Sequence, residues 1–425
     1  MQRQSNLFFS LPIVVFGVPA FPLLYKPSYA SVSHCDLDAS GFSGFMISER
    51  AQQIRPFIAM DVFEKAQELE ARGEKVIHLE VGEPDFATPE VVKEAAIRAL
   101  AEGKTRYTSS LGILPLREAI AEHYEQEYGI RTSPHQIVVC SGTSPALLLT
   151  FSVLLNPGDR VILSNPGYPC YSNHIEFLGG VPEYIDVHEE NGFALSPEAV
   201  YRGIEEGGKV ILINSPANPT GTVLSSGILQ SLSEMGIPLI SDEIYHGLVY
   251  EGETHTALEF RPDVFVLNGF SKLYAMTGWR LGYVISPPSY VRALQKLQQN
   301  FFISAGDFIQ WAGLQALRAG EQFAREARET LNRRRLVMLD ALRGMGFEVF
   351  KNPTGAFYIF ANARKFSSCS YDLAFDILQE AHVAVTPGVD FGSNGEGFLR
   401  FSYANSLENI EEAMERLRIY LSRRP

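Results

Sequence analysis

Cysteine is scarce in this 425-residue sequence, and no two cysteines stand close enough to form a Cys-x-x-Cys pair. The four positions are Cys35, Cys140, Cys170 and Cys369. Scattered cysteines of this kind argue against a zinc site and against a disulfide framework. We therefore expect no metal site, and we expect reduced thiols, which are typical of a cytosolic protein.

Positive charge is also in short supply. The chain has 36 lysines and arginines against 49 aspartates and glutamates, which gives a formal net charge of -13. Because nucleic acids and cytoplasmic membrane surfaces are themselves negative, this balance predicts that neither is a partner. A hydrophobic content of 46% and a charged content of 20% are ordinary for a globular protein, and the length allows more than one domain.

The sequence lacks an uninterrupted apolar run near its N-terminus. Residues 7–24 are mostly apolar and follow Arg3, but Pro12, Pro19 and Pro22 interrupt them. Prolines break helices, so a transmembrane helix is unfavourable here. Two interpretations stay open: a signal peptide with a weak cleavage site at residues 28–30, or an N-terminal extension.

One stretch, residues 268–283, organises the rest of the chain. An apolar run at residues 264–267 precedes Lys272, and a second run at residues 281–285 follows Arg280. The pattern predicts a strand, a loop that carries both cations, and a second strand. A lysine in such a loop can have a lowered pKa and form a Schiff base, and the arginine can bind a phosphate. The alternative is two solvated charges in a surface loop.

From residue 136 onward, apolar runs alternate with helical patterns, which indicates a parallel sheet covered on both faces. Seven runs are predicted as strands: residues 137–140, 161–163, 185–187, 210–213, 238–240, 264–267 and 281–285. Ligands of such sheets bind at the carboxyl ends of the strands. Helices are predicted at residues 51–72, at residues 114–128, and from Pro89 to about residue 101 with Thr88 as the N-cap.

Residues able to hold an anion follow the predicted strands. Gly142, Thr143 and Ser144 come directly after the first strand, where Ser144 is predicted to be the N-cap of the next helix. The free N–H groups of a helix N-terminus bind anions, although an ordinary turn has the same sequence. Arg400 lies inside an apolar strand and needs an anionic partner, either a ligand or a structural salt bridge.

Two further residues suit a planar, nitrogen-containing ring. Tyr168 follows the second strand and can stack on such a ring, or it can be a core aromatic at a helix start. Asp242 ends the fifth strand and can pair with a protonated pyridine nitrogen, or it can cap a helix. Each of these motifs is weak when it is taken alone.

In their joint order these motifs resemble the class I/II aminotransferases, pyridoxal-phosphate (PLP) enzymes of fold type I. The resemblance covers residue 48 to the C-terminus, and the positions that match the lysine signature are Gly269, Ser271, Lys272, Ala275, Gly278, Arg280 and Gly282. One position departs from the family pattern. Many members have a phosphate-binding serine where Gly269 stands, so Ser271 is expected to supply that contact or the contact is missing.

The resemblance implies a role for each site residue. Lys272 is the catalytic residue and holds PLP as an internal aldimine. The implied cofactor-binding residues are Gly142, Thr143, Ser144, Tyr168, Asn218, Asp242, Tyr245, Ser271, Lys272, Arg280 and, from a neighbouring subunit, Tyr107. The implied substrate-binding residues are Gly82, Asn218 and Arg400.

The resemblance also implies an architecture. We expect an α/β fold with a large PLP-binding domain (residues 91–320) that contains a seven-stranded, mostly parallel sheet. A smaller α+β domain would occupy residues 321–425, joined by an N-terminal arm at residues 46–90, and residues 1–45 would be the extension. Because the family uses a cofactor kept mainly in the cytosol, the resemblance favours the extension over the signal peptide and predicts a cytoplasmic homodimer.

The implied reaction transfers an amino group from an L-amino acid to a 2-oxo acid, with 2-oxoglutarate the expected acceptor. No second basic residue selects a dicarboxylic donor, so the donor stays open. The same fold also serves C–S lyases and decarboxylases, which is the first alternative. A non-catalytic binding or regulatory protein that retains the fold is the second.

Overall fold

The structure is a computed structural model that describes residues 47–423. The predicted extension at residues 1–45 and Cys35 lie outside the described residues. Residues Glu49–Pro425 form one compact unit. Of the helices in the described part of the chain, none is long and apolar enough to cross a membrane.

The described residues form thirteen α-helices and twelve strands. The helices are α1 (Glu49–Gln53), α2 (Ile58–Glu70), α3 (Glu90–Ala101), α4 (Leu114–Tyr128), α5 (Thr143–Leu154), α6 (Cys170–Phe177), α7 (Pro197–Glu205), α8 (Ser226–Ser233), α9 (Pro288–Phe301), α10 (Asp307–Ala319), α11 (Glu321–Met345), α12 (Ser370–Ala381) and α13 (Leu407–Ser422). The strands are β1 (Ile77–His78), β2 (Ile137–Cys140), β3 (Arg160–Asn165), β4 (Val181–Asp186), β5 (Gly208–Asn214), β6 (Leu239–Asp242), β7 (Phe265–Gly269), β8 (Gly282–Ile285), β9 (Tyr358–Asn362), β10 (Val383–Ala384), β11 (Thr386–Pro387) and β12 (Phe398–Ser402).

The main sheet has seven strands in the order β2-β8-β7-β6-β5-β3-β4. Neighbours from β7 to β4 run parallel, whereas β8 is antiparallel to both β2 and β7. Every residue of β2, β6 and β8 is buried, because side chains of a sheet covered on both faces cannot reach water. The predicted seven-stranded, mostly parallel sheet is confirmed, and its parallel strands end at one common edge.

A second region is built around an antiparallel sheet of three strands in the order β11-β12-β9. Arg400 of β12 stands opposite Thr386 of β11 and Phe360 of β9. The short strand β1 pairs in parallel with β10, which joins the N-terminal part of the described chain to this region. The division into domains at residues 90 and 320 stays a prediction.

Three helix predictions were wrong: one concerns continuity and two concern the N-cap. The single helix expected over residues 51–72 is divided into α1 and α2, because Pro56 lies between them and cannot continue a helix. Thr88 does not cap α3, whose N-cap is Pro89, and Ser144 does not cap α5, whose N-cap is Gly142. In both places the N-cap is a different residue from the one whose side chain could have capped the helix.

The long helix α11 offers a matched test of core packing. Leu342 is fully buried against the three-stranded sheet region, whereas Leu336 on the same helix is 49% exposed. We expect Leu342→Ala to lower the free energy of unfolding by about 2–5 kcal/mol, because it leaves a cavity. Leu336→Ala should change it by less than about 0.5 kcal/mol. Urea unfolding followed by circular dichroism measures both, and equal effects would contradict the packing described here.

Candidate active site

The loop between β7 and β8 carries Lys272 and turns back sharply, since the two strands are antiparallel neighbours. The Lys272 Nζ group donates a hydrogen bond to the carbonyl oxygen of Gly82 at 2.6 Å. The backbone at the start of β8 packs so tightly on Gly269 that a Cβ there would lie 2.9 Å from the oxygen of Leu281, the residue before β8, and 3.0 Å from the Cα of Gly282. This contact explains why a serine does not fit at position 269 without a shift of the backbone.

Lys272 has a lowered pKa. Burial away from water is the main cause, and it lowers the pKa to about 8, because the charged ammonium loses hydration. The nearby Glu83 carboxylate acts in the opposite direction, while the Arg280 and Arg400 guanidiniums lower the pKa further. A larger fraction of this amine is therefore neutral and nucleophilic near neutral pH than for an exposed lysine.

An anion cradle lies at the N-terminus of α5. Gly142, its N-cap, has a φ of 102° and supplies no side-chain cap, so the first backbone N–H groups have no intrahelical partner. A Cβ at Gly142 would lie 2.5 Å from Arg280 Nη2, so the guanidinium rests directly against this turn. Backbone donors and a guanidinium at one point are the groups that bind a phosphate.

Asp242 is a buried carboxylate at the end of β6 and is 4% exposed. It accepts hydrogen bonds from the Tyr171 hydroxyl at 2.8 Å and from the Ile244 backbone N–H at 3.1 Å. Burial raises the pKa of Asp242 to about 6, against the effect of these two donors. Among the described residues, Lys272 is the basic side chain with a resolved effect on the pKa of Asp242, and that effect is smaller than the effect of burial.

Arg400 is a buried cation, 2% exposed, that is bound by neutral groups. It donates to Asn218 Oδ1 at 3.0 Å, to Thr386 Oγ1 at 3.0 Å and to the carbonyl of Glu80. Its Nε–H has no partner among the described residues. A buried guanidinium without a carboxylate partner is a binding site for an anion.

A cavity of about 290 Å³ brings most of the predicted site residues together. Its lining includes Gly82, Thr143, Ser144, Tyr168, Asn218, Asp242, Tyr245, Ser271, Lys272, Arg280 and Arg400. Gly142 borders it through its contact with Arg280. Tyr107 does not line this cavity and is 80% exposed.

Two tyrosines of the site had no predicted role. The Tyr171 hydroxyl binds Asp242, and Tyr358 lies under Arg400 with 4.5 Å from the guanidinium carbon to the ring centroid. The Tyr358 hydroxyl is 2.9 Å from that of Tyr245, and it would collide with a Cβ at Gly82. The spacing of Tyr171 from Tyr168, one helical turn, was a usable signal. Tyr358 lies in an ordinary apolar strand, and nothing in its neighbourhood marked it.

The donor set fits PLP. A lysine amine, an anion cradle and a buried carboxylate match the aldehyde, the phosphate and the pyridine nitrogen of that molecule. The buried guanidinium of Arg400 is not needed by any of these three matches and stays able to bind a second anion. Within the described residues no group of three or more histidine, cysteine or acidic side chains is arranged to hold a metal ion.

Comparisons with known proteins agree with this geometry. The sequence model of the family "Aminotransferase class I and II" matches residues 74–417. A (5-formylfuran-3-yl)methyl phosphate transaminase of Methanocaldococcus jannaschii is 43% identical over 382 residues, which are 89% of this chain and 100% of that protein. An aspartate/prephenate aminotransferase of Thermus thermophilus is 39% identical over 385 residues, 89% of this chain and 99% of that protein.

Solved structures give the same result. The aspartate aminotransferase from Thermus thermophilus with maleate superposes with a TM-score of 0.85 at 39% identity, over 88% of this chain and 100% of that chain. A Methanococcus jannaschii protein, described as similar in its active site to kynurenine aminotransferases, superposes with a TM-score of 0.83 at 44% identity, with 88% and 100% covered. Because identity and fold agree over nearly the whole of these relatives, this chain belongs to the class I and II aminotransferases and is a PLP-dependent aminotransferase of fold type I.

Proposed function

We propose that the protein transfers the amino group of an L-amino acid to 2-oxoglutarate, with Lys272 as the catalytic residue. The observation that carries this proposal is the position of Lys272. Its amine, with a pKa lowered to about 8, shares one cavity with the buried Asp242 and the buried Arg400. The names of the relatives make aspartate and the aromatic amino acids the first donors to test.

We propose the following residues as the cofactor site. The N-terminus of α5 with Thr143 and Ser144, the Ser271 hydroxyl and the Arg280 guanidinium would hold the phosphate. Gly142 keeps the turn open for Arg280, and Tyr168 would pack on the ring. Asp242 would pair with the ring nitrogen, and Asn218 and Tyr245 would bind the phenolic oxygen. Bound PLP supplies an electron sink for the electrons left when the substrate loses its α-proton.

Lys272 would act on the α-proton of the substrate. When its amine is free, Nζ would accept the proton from the substrate's α-carbon and would hold it for return to the substrate–cofactor adduct. A neutral amine is required for this transfer, and the lowered pKa of Lys272 makes a larger neutral fraction available near neutral pH than an exposed lysine has. The carbonyl of Gly82, which accepts from Nζ at 2.6 Å, aims the amine across the cavity.

Arg400 and Asn218 would orient the substrate. Asn218 Oδ1 already accepts from Arg400 Nη1, which leaves the Asn218 amide N–H₂ to donate. The Arg400 guanidinium would bind the α-carboxylate of the amino acid, together with the backbone N–H of Gly82. These contacts would fix the carboxylate, and with it the α-carbon, relative to Lys272.

The test is a pair of half-reactions. We expect the visible absorbance of the PLP-loaded protein to fall on addition of the amino donor and to return on addition of 2-oxoglutarate. Lys272→Ala should slow the first change at least about 100-fold, the usual contribution of a general base. Lys296→Ala, which removes an exposed lysine on α9, should behave like the unchanged protein. Release of ammonia and pyruvate without an acceptor would instead indicate a C–S lyase.

The pKa of Lys272 predicts a pH dependence. The neutral amine is the nucleophile, so the rate of covalent PLP attachment to the cofactor-free protein should rise with pH and level off above about 8. An exposed lysine would continue to gain up to about pH 10. Stopped-flow absorbance between pH 6 and 10 measures this rate. A rate that still increases steadily up to pH 10 would show that the amine is not shielded from water.

We further propose a cytoplasmic homodimer in which Tyr107 completes the site of the neighbouring subunit. Tyr107 is 80% exposed and does not line the cavity that contains Lys272. Both facts suit a contact with a second copy of the chain. The cytoplasmic location is inferred from the spacing of the cysteines and from the cofactor.

Mixed dimers test the role of Tyr107. Tyr107→Ala and Lys272→Ala should each lose most activity when they are prepared alone. In a mixed dimer, the subunit that retains Lys272 receives Tyr107 from its partner, so mixing equal amounts should restore about a quarter of the normal activity. If mixing restores nothing although mixed dimers form, Tyr107 does not act across the interface.

A further inference from the structure

The loop between β7 and β8 contains two non-glycine residues in the left-handed region of the backbone. Ala275 has a φ of 49° and Arg280 a φ of 56°. Such conformations are unfavourable for residues with a Cβ and persist where the surroundings hold them. They flank the proposed functional groups, since Ala275 follows Lys272 by three residues and Arg280 is itself the proposed phosphate ligand.

Most backbone hydrogen bonds within the loop are long, although Arg280 Nη1 donates to the Thr277 carbonyl at 2.9 Å. The backbone bonds from Met276 to Ser271, from Trp279 to Met276 and from Arg280 to Thr277 measure 3.2, 3.3 and 3.4 Å. Bonds of this length contribute little, because hydrogen bonds weaken beyond the usual 3.0 Å. The loop therefore depends on contacts with residues outside it.

Thr88 makes two shorter contacts with this loop. Its hydroxyl donates to the carbonyl of Ala275 at 2.6 Å and accepts from Trp279 Nε1 at 3.0 Å. A hydroxyl has one hydrogen and two acceptor sites, so both bonds form together. One side chain thus ties the residue in the left-handed conformation after Lys272 to the residue that precedes Arg280.

The segment that carries Thr88 is itself anchored. Asp85 forms a two-point ion pair with Arg334 of α11, at 2.6 and 2.9 Å, and Arg334 is 8% exposed. The Phe86 ring packs edge-on against Phe323 of the same helix, with 6.1 Å between centroids. Thr88 is therefore held in place by α11 and can fix the loop rather than move with it.

We propose that Thr88 is a positioning residue, whose hydroxyl sets the relative placement of Lys272 and Arg280 and so the fit of the site to PLP. The inference rests on the proposed roles of those two residues. It differs from the role that the sequence predicted for Thr88, since α3 is capped by Pro89 and the Thr88 hydroxyl binds no N–H of that helix.

Thr88→Val and Thr88→Ser separate the hydroxyl from the bulk of the side chain. Valine keeps the shape but removes both hydrogen bonds, so the dissociation constant of PLP should rise about tenfold or more. Thr88→Val should also shift the pH at which the visible absorbance of lysine-bound PLP changes. Serine keeps the hydroxyl and should stay within about twofold of the unchanged protein in both respects.

A third variant and a stability measurement complete the test. Trp279→Phe removes one of the two hydrogen bonds and should give an intermediate dissociation constant. Thermal unfolding of the cofactor-free variants shows whether the fold is intact. If Thr88→Val binds PLP like the unchanged protein, or if serine and valine are equally impaired, the hydroxyl does not position the loop. If the unchanged protein binds no PLP, the proposed function fails instead.

Discussion

The buried charge of Arg400 is the constraint on which the site depends. A guanidinium that is 2% exposed would be unstable among apolar side chains alone. Its neighbours are dipoles and ring faces: an amide oxygen, a hydroxyl, a carbonyl, and the rings of Tyr358 and Phe391 at 4.5 and 4.9 Å. These neutral groups stabilise the cation without neutralising it, so a positive potential remains for an anion from outside.

That potential also acts on Lys272. Burial is the main reason for its lowered pKa, and the two neighbouring guanidiniums lower it further, while Glu83 and Asp242 limit the change. The cavity thereby holds three basic side chains in different states: two permanently charged arginines for anions and one amine that can lose its proton. Residue type and burial together account for the different charge states of these three side chains.

Much of this arrangement was predictable from the sequence, for physical reasons. Helix α4 was predicted with its observed bounds, and Gly129, in the left-handed conformation that glycine adopts readily, ends it. Strand β2 and the position of the lysine loop were predicted from short, uninterrupted apolar runs. The contacts that these elements make with distant parts of the sequence were harder to predict. Tyr358 reaches the cavity only through the pairing of β9 with β12, which local patterns do not specify.

The N-caps of α3 and α5 could not be predicted from the local sequence alone. Thr88 has the type and position of an N-cap, yet its hydroxyl is used by a loop that lies 187 residues away in sequence. Likewise, Gly142 caps α5 in place of Ser144, because the turn must leave room for Arg280. In both cases a distant contact decided between local conformations of similar free energy.

The raised pKa of Asp242 has a consequence for the amount of folded protein. The shift from 3.8 to about 6 means that the ionised carboxylate costs the fold about 3 kcal/mol at neutral pH. A cation bound beside Asp242 would remove that cost, and the relief would form part of the free energy with which the folded state binds it. In a cell, the abundance of this protein should therefore follow the supply of its cofactor.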